Sequence, residues 1–224
     1  RKEEPSLSRF SACLFDLDGV LVDTAVYHYR AWKRLAAELG FDFTEKDNER
    51  LKGISRMASL EILLEIGGLQ FDDAAKLELA DRKNRYYLDY IMRMDESAVL
   101  PGAVDFLKAC RERGIKTALG SASKNAMTIL QRTGLTPLFD AVIDGNKATK
   151  AKPDPEVFLL GARELGVEPP ACVVFEDAEA GVEAARRAGM RCVGIGSPAI
   201  LHKADRVIPS LAAVTVDDIL EGMG

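Results

Sequence analysis

The 224-residue sequence has no long apolar run, no surplus of positive charge and no paired-cysteine motif. No stretch approaches the roughly 20 apolar residues that a membrane helix needs, so no membrane partner is expected. Basic residues number 30 against 35 acidic ones, a net charge of −5. Such a chain has no general attraction for nucleic acid or anionic lipid. Any anion it binds must be met by a few placed cations or by a metal. The four cysteines, Cys13, Cys110, Cys172 and Cys192, show no C-x-x-C spacing. Buried, reduced thiols in a cytoplasmic protein are therefore expected, rather than a zinc site or disulfides. The opening residues, RKEEPSLSRF, are charged and have no apolar core, so a signal peptide is not expected. Internal repeats and low-complexity tracts are absent too. What is there is ordinary globular composition, 47% hydrophobic and 29% charged, long enough for one large domain with an insertion.

Short apolar runs bounded by turn residues recur at 12–15, 115–119, 141–143, 172–175 and 192–195. Helical patterns separate the later ones, over 101–113, 155–165 and 178–188, each followed closely by Gly. This alternation predicts β-α-β units and a parallel sheet covered on both faces. Residues 24–96 break the rhythm. Trp32, Leu35, Ala36 and Leu39 follow helical spacing, as do Leu60, Leu63 and Leu64, and 77–94 is a third helical stretch. The expectation is an α/β core with a Rossmann-like parallel sheet, residues 1–23 and 97–224, and an inserted all-α helical cap, residues 24–96. Ligands of open parallel sheets bind outside the carboxyl ends of the strands. An insertion leaving from that edge is placed to act as a lid.

Four strand-to-helix junctions carry polar residues with chemical potential. The first reads LFDLDGVLVDT, with Asp16 and Asp18 at the end of an apolar segment and Gly19 permitting a tight turn. Alone, this D-x-D fits an Asx-turn with solvated acids. The second, Ser121-Ala122-Ser123-Lys124-Asn125, opens a helix. Taken alone its Ser is best explained as an N-cap, although a helix N-terminus also suits phosphate. The third sets Lys152 before Pro153, where a solvated lysine is the plain explanation. The fourth ends a strand in Glu176-Asp177, which could simply complement a helix dipole. Together the four form a set. The acids can hold Mg²⁺, the hydroxyl, amides and Lys can hold a phosphoryl group, and an aspartate can be the nucleophile.

The ordered set DLDG, SASK, KPDP and FEDA resembles motifs one to four of the haloacid dehalogenase superfamily. The helical insertion after the first motif resembles its alpha-helical cap class. Residues 24–32, 51–56 and 82–84 are further similar to the β-phosphoglucomutase branch. The chain departs from the pattern at Gly120, Ile54 and Ala178, the last lacking a hydroxyl common there.

The resemblance implies roles residue by residue. Asp16 would be the nucleophile and Asp18 the general acid/base. Asp16, the Asp18 carbonyl, Glu176 and Asp177 would hold Mg²⁺. Ser121, the Ala122 amide and Lys152 would bind the transferring phosphoryl. His28, on one helix face with Trp32, would position Asp18 or substrate. Arg56, with Ser123, Lys124 and Asn125, would clamp a distal phosphate, and Lys52, Gly53, Ser55, Ser59 and Lys83 would line the sugar pocket. The implied reaction is isomerisation of β-D-glucose 1-phosphate to D-glucose 6-phosphate, with glucose 1,6-bisphosphate as intermediate and activator, in a monomeric enzyme acting on a small sugar phosphate. Two other readings stay open: a sugar-phosphate phosphatase with the same core chemistry, and a non-catalytic phosphometabolite-binding module.

Overall fold

The computed structural model describes residues 9–51 and 55–223. The first apolar run forms β1 (Ala12–Phe15), buried at all four positions. The chain then enters four helices, α1 (Ala25–Glu38), α2 (Glu45–Asn48), α3 (Arg56–Gly67) and α4 (Asp73–Ile91). Next come α5 (Ala103–Glu112), β2 (Lys116–Gly120), α6 (Ala126–Arg132), β3 (Ala141–Ile143), α7 (Glu156–Leu165) and β4 (Cys172–Glu176). The order finishes with α8 (Glu179–Arg187), β5 (Arg191–Ile195), β6 (Arg206–Ile208) and α9 (Val216–Gly222). Two compact units result, Arg1–Asp23 with Asp95–Gly224, and Thr24–Met94.

In the first unit six parallel strands lie in the order β3-β2-β1-β4-β5-β6. The chain builds outward from β1 to β3, then crosses to the other side of β1 for β4. The topological switch therefore lies between β1 and β4, where open sheets form their ligand crevice. Alternation along β1 sends its side chains to two apolar layers. Phe15 stacks on Phe175 with ring centroids 4.9 Å apart and meets the edge of Phe106 from α5 at 6.0 Å. Leu14 joins the opposite layer with Val157, Phe158 and Val182 from α7 and α8. Each such large side chain contributes about 1.5–3 kcal/mol on full burial. The rigid sheet this creates is what aims the strand-end residues. All four cysteines are free and buried. Cys13 touches the Cys110 thiol, and that contact together with burial raises its pKa. Burial likewise pushes Cys172 up to about 11. These are inert packing groups.

The second unit has its own core of Trp32, Leu35, Ala36, Phe43, Leu60, Leu63, Leu64, Leu79 and Ala80. The Tyr86 hydroxyl donates to Glu38 at 2.5 Å, and Arg34 lies 3.7 Å over the Tyr86 ring, bracing α1 against α4. Helix ends follow local chemistry. Asp72 caps α4 by accepting from Ala75 N at 2.8 Å, so this helix begins before the expected position 77. Gly68 ends α3 in the left-handed region. No helix among the described residues is long and apolar enough to cross a membrane.

Candidate active site

Lys152 is the hub of the first unit. Its Nζ donates to Asp16 Oδ1 at 2.9 Å, to the Gly120 carbonyl at 3.0 Å and to Glu176 Oε1. All three ammonium protons therefore have acceptors. Burial alone would pull the Lys152 pKa down, but the Asp16 and Glu176 carboxylates outweigh it and hold the ammonium above its ordinary value. Lys152 precedes Pro153 through a cis peptide bond. Three strand ends and one loop thus converge: β1 supplies Asp16, β2 the Gly120 carbonyl, β4 Glu176, and the loop before α7 supplies the cation.

Asp16, Glu176 and Asp177 each offer an oxygen, and these atoms lie within 4.8 Å of one another. Two ligands on opposite sides of one Mg²⁺ would lie about 4.2 Å apart, so small side-chain adjustments would seat the ion. The acids show the strain of crowding. Burial pushes Glu176 up to about 7, aided by the Asp16 charge and opposed by Lys152. Burial pushes Asp177 up to about 8, with Asp16 and Glu176 adding to the shift. Three carboxylate oxygens crowded this closely, one of them from a fully buried acid, fit a divalent cation that would displace their protons. The Asp18 side chain is not in this cluster; Asp18 lies in the turn closed by the Gly19 amide donating to the Val22 carbonyl at 2.9 Å.

Two glycines are sterically tied to these acids. A Cβ on Gly181 would collide with the Glu176 carboxylate. Helix α8 can therefore approach the acid only without a side chain there. Gly19 has φ of 79°, and a Cβ there would meet the Asp177 carboxylate. Gly120 has a similar cause, since a Cβ would lie 2.9 Å from the Phe158 ring. Ala178 occupies the N-cap position of α8 with no side-chain cap bond, while Glu176 Oε2 accepts from the Asp177 and Ala178 amides at 3.1 and 3.3 Å.

Ser121 does not cap a helix, contrary to its simplest local explanation. Helix α6 starts only at Ala126, with Asn125 at its N-cap position and no side-chain cap bond. Residues 121–125 instead form a turn beyond β2. The Ser121 hydroxyl accepts from Ser123 N at 3.1 Å, and the Ser123 hydroxyl accepts from Asn125 N at 3.1 Å. Ser121 is buried while Ala122 and Lys124 are exposed.

The second unit holds a different cluster. Lys83, only 4% exposed, lies 2.9 Å from His28 Nδ1 and 4.8 and 5.0 Å from the Trp32 and Tyr87 rings. His28 stacks on Tyr87 at 3.9 Å. Burial lowers His28 to about 3, with Lys83 and then Arg56 contributing. Burial lowers Lys83 to about 7, with Arg56 contributing. The imidazole is therefore neutral at pH 7. The direction of the Lys83 Nζ–His28 Nδ1 hydrogen bond follows the imidazole tautomer; with Lys83 as donor, the ring proton is on Nε2. Arg56 is exposed at the first position of α3, which Ser55 caps by accepting from Ala58 N at 3.3 Å. Ser59 is buried within that helix. Lys52 and Gly53 lie outside the described residues. The His28–Lys83 contact spans 55 positions, and no local sequence signal announces it.

A profile of the haloacid dehalogenase-like hydrolase family matches residues 10–189. The chain is 42% identical over 208 residues to a β-phosphoglucomutase of Bacillus subtilis, covering 92% of each. It is 34% identical to a phosphorylated carbohydrates phosphatase of Thermotoga maritima, covering 80% of this chain and 82% of that one. The crystal structure of a β-phosphoglucomutase from Clostridium difficile superposes with a TM-score of 0.81 at 42% identity, over 95% of this chain and 96% of that chain. The coverage includes both the strand-end acids and the helical insertion. The chain belongs to the haloacid dehalogenase-like hydrolase family.

Proposed function

We propose that the protein is a β-phosphoglucomutase, converting β-D-glucose 1-phosphate to D-glucose 6-phosphate through an aspartyl-phosphate and β-glucose 1,6-bisphosphate. The observation that carries the chemistry is Asp16, at the topological switch point, oriented by Lys152 at 2.9 Å and grouped with Glu176 and Asp177. Lys152 fixes one carboxylate oxygen of Asp16 and offsets negative charge where a phosphoryl group would arrive. Asp16, Glu176, Asp177 and the Asp18 carbonyl are the groups that would hold Mg²⁺, which supplies charge neutralisation to phosphoryl oxygens when bound. Ser121 and the Ala122 amide hold the phosphoryl being transferred.

Phosphorylated Asp16 donates its phosphoryl to the sugar 6-hydroxyl while Asp18 takes the hydroxyl proton. The bisphosphate then presents its 1-phosphoryl to Asp16, and Asp18 returns the proton to the departing oxygen. The phosphate that is not transferred needs cations of its own. Arg56, with its planar fork, supplies one, with Ser123, Lys124 and Asn125 in the same role, and Lys83, expected to line the sugar pocket, adds a second cation close enough to Arg56 to feel its charge. His28 offers Nε2–H as a positioning donor. Ser55, and Lys52 and Gly53, belong to the sugar-recognition part of this reading; Trp32 and Ser59, expected there as well, are instead buried in the interior of the helical unit. The observations favouring a mutase over a phosphatase are this carboxylate-poor cationic cluster and the 42% identity to the Bacillus enzyme.

A phosphatase is the second reading, favoured by the Thermotoga relative. One assay separates them. Purified protein receives β-glucose 1-phosphate, Mg²⁺ and a trace of glucose 1,6-bisphosphate, and glucose 6-phosphate and free phosphate are followed together. Glucose 6-phosphate in large excess is expected, with no turnover of the α-anomer. Stoichiometric phosphate release without glucose 6-phosphate would overturn the mutase assignment.

A further inference from the structure

A turn that none of the four junctions includes lies against the phosphoryl-holding loop. It follows β3 and reads Asp144-Gly145-Asn146. Asp144 is only 7% exposed. Its carboxylate accepts from the Asn146 amide at 2.9 Å, the Lys147 amide at 3.0 Å and Asn146 Nδ2 at 3.2 Å. The buried acid thus folds the turn around itself. The turn in turn grips residues 121–125 at two carbonyls. Gly145 N donates to the Ser123 carbonyl at 3.0 Å, and Asn146 Nδ2 donates to the Lys124 carbonyl at 3.2 Å.

The chemistry at each position is specific. Both neighbours of Asn146 Nδ2 are pure acceptors, so only the amide nitrogen can face them. A Cβ at Gly145 would sit 3.0 Å from Lys124 N and collide with the Ala122 carbonyl oxygen. The two segments approach this closely only because residue 145 is glycine. In a trans peptide the C=O and the following N–H point to opposite sides. Holding the Ser123 carbonyl on the turn therefore sets the direction of the Lys124 amide as well. A second feature ties the turn to the phosphoryl end. A cavity of about 120 Å³ has Gly145 in its wall together with Ala122, Thr149 and Lys152.

We infer that Asn146 and Gly145, organised by Asp144, are positioning residues that hold the 121–125 loop in its phosphoryl-binding geometry. The inference rests on the reading that this loop holds the phosphoryl group. Asn146 is exposed, and Asn146→Asp is the first variant, its thermal midpoint measured alongside to show a folded protein. It is isosteric but puts a carboxylate against Asp144 and a carbonyl. Losing one neutral hydrogen bond corresponds to about a threefold to tenfold loss in affinity. Asn146→Asp should raise both the KM for sugar phosphate and the inhibition constant of inorganic phosphate by at least that factor. The kcat should fall less, and the Mg²⁺ concentration for half activity should stay within about twofold. Asn146→Ala should show the smaller end of the same effect. Gly145→Ala should reproduce the pattern if its thermal midpoint shows a folded protein.

Ser121→Ala is measured in parallel. If Ser121→Ala weakens phosphate inhibition while both Asn146 variants leave KM and phosphate inhibition within twofold of the parent, the positioning role is overturned and the phosphoryl-loop reading survives. If Ser121→Ala changes neither quantity, that reading falls and the inference falls with it. A lower thermal midpoint in the Asn146 variants with unchanged KM and phosphate inhibition would mark the turn as structural only and would also overturn the proposal.

Discussion

The core holds a lysine whose side chain is only 12% exposed and the helical unit a buried one, and they solve the cost of desolvation in opposite ways. Lys152 sits among carboxylates, with Asp16 at 2.9 Å and Glu176 closer still, and its ammonium is held above the ordinary range. Lys83 makes no ion pair with a carboxylate among the described residues. Its neighbours are two aromatic faces, a neutral imidazole and, electrostatically, Arg56, and its pKa falls to about 7. A buried charge without a counter-ion is costly. The core cation is compensated before any ligand arrives. The helical unit's cation has no carboxylate to compensate it among the described residues, and its lowered pKa reflects that. The first arrangement suits a fixed catalytic part, the second a sensor of substrate charge.

Four experiments bear on that contrast. The largest effect is expected at Asp16. Asp16→Asn keeps the shape and removes the nucleophile, so formation of glucose 6-phosphate should fall by about 10⁴-fold or more. Retained turnover would sink the assignment of the reacting group.

The next effect is on stability. Lys152→Met breaks a buried pair and should cost about 3–5 kcal/mol at pH 8 by chemical denaturation. The loss should shrink at pH 6, where the abandoned Glu176, already raised to about 7 by burial, takes up a proton. Lys83→Met should do the reverse. Its folded pKa lies below the unfolded value of about 10.4, so the native state binds fewer protons between pH 7 and 10. Parent stability from this group is lowest below pH 7 and recovers as pH rises. The variant should therefore be as stable as the parent, or more so, with the gain greatest at pH 6. Destabilisation by Lys83→Met equal to that of Lys152→Met would erase the distinction.

A third, smaller effect is proton uptake. At pH 8 Lys83 is mostly neutral, and an arriving phosphate should raise its pKa and draw in part of a proton. Calorimetry in buffers of different ionisation enthalpy reads this directly, and Lys83→Met should remove it while weakening binding about tenfold to hundredfold. Equal uptake in parent and variant would remove Lys83 from the sensing role.

The smallest effect concerns Mg²⁺. Glu176 and Asp177 have folded pKa values near 7 and 8, raised above their unfolded values. The native state then binds more protons than the unfolded chain between about pH 4 and 8, so metal-free stability declines as pH rises through 7 and 8. Mg²⁺ competes with those protons. Its stabilising shift in thermal midpoint should be a few degrees larger at pH 8.5 than at pH 6; a shift independent of pH would argue against these acids as its ligands.

Much of this was legible in the chain, for identifiable reasons. The runs at 12–15 and 141–143 are strands with those bounds because they are wholly apolar and closed by turn residues. Residues 206–208 gave no such signal. Only Ile208 of β6 is buried, as befits a three-residue edge strand. The strand-end position of Asp16, Glu176 and Asp177 could be read because each acid directly follows an apolar run. Contacts made across the fold could not. Nothing local links His28 to Lys83, or reveals that Gly181 must be bare to admit the Glu176 carboxylate. Ser121 shows the opposite failure: a good local rule, helix capping, lost to a turn that delays α6 until Ala126. Asp144-Gly145 had a usable signal, an acid and a glycine after an apolar run, but lay at the one such junction whose side chains act only through another loop.

The sheet order also has a consequence for how the protein is made. Strand β1 emerges from the ribosome well before its neighbours β2 and β4, which begin at Lys116 and Cys172. Between them the contiguous Thr24–Met94 unit carries its own apolar core and can condense as soon as it is complete. Contacts between distant segments form late because long loops must close first. Asp16 is thus translated long before Lys152 and Glu176, the partners that complete its chemical surroundings. A nascent chain stalled before Cys172 would leave one edge of the apolar strand β1 without its partner β4, so the interval between those two strands is one in which chaperones would be needed.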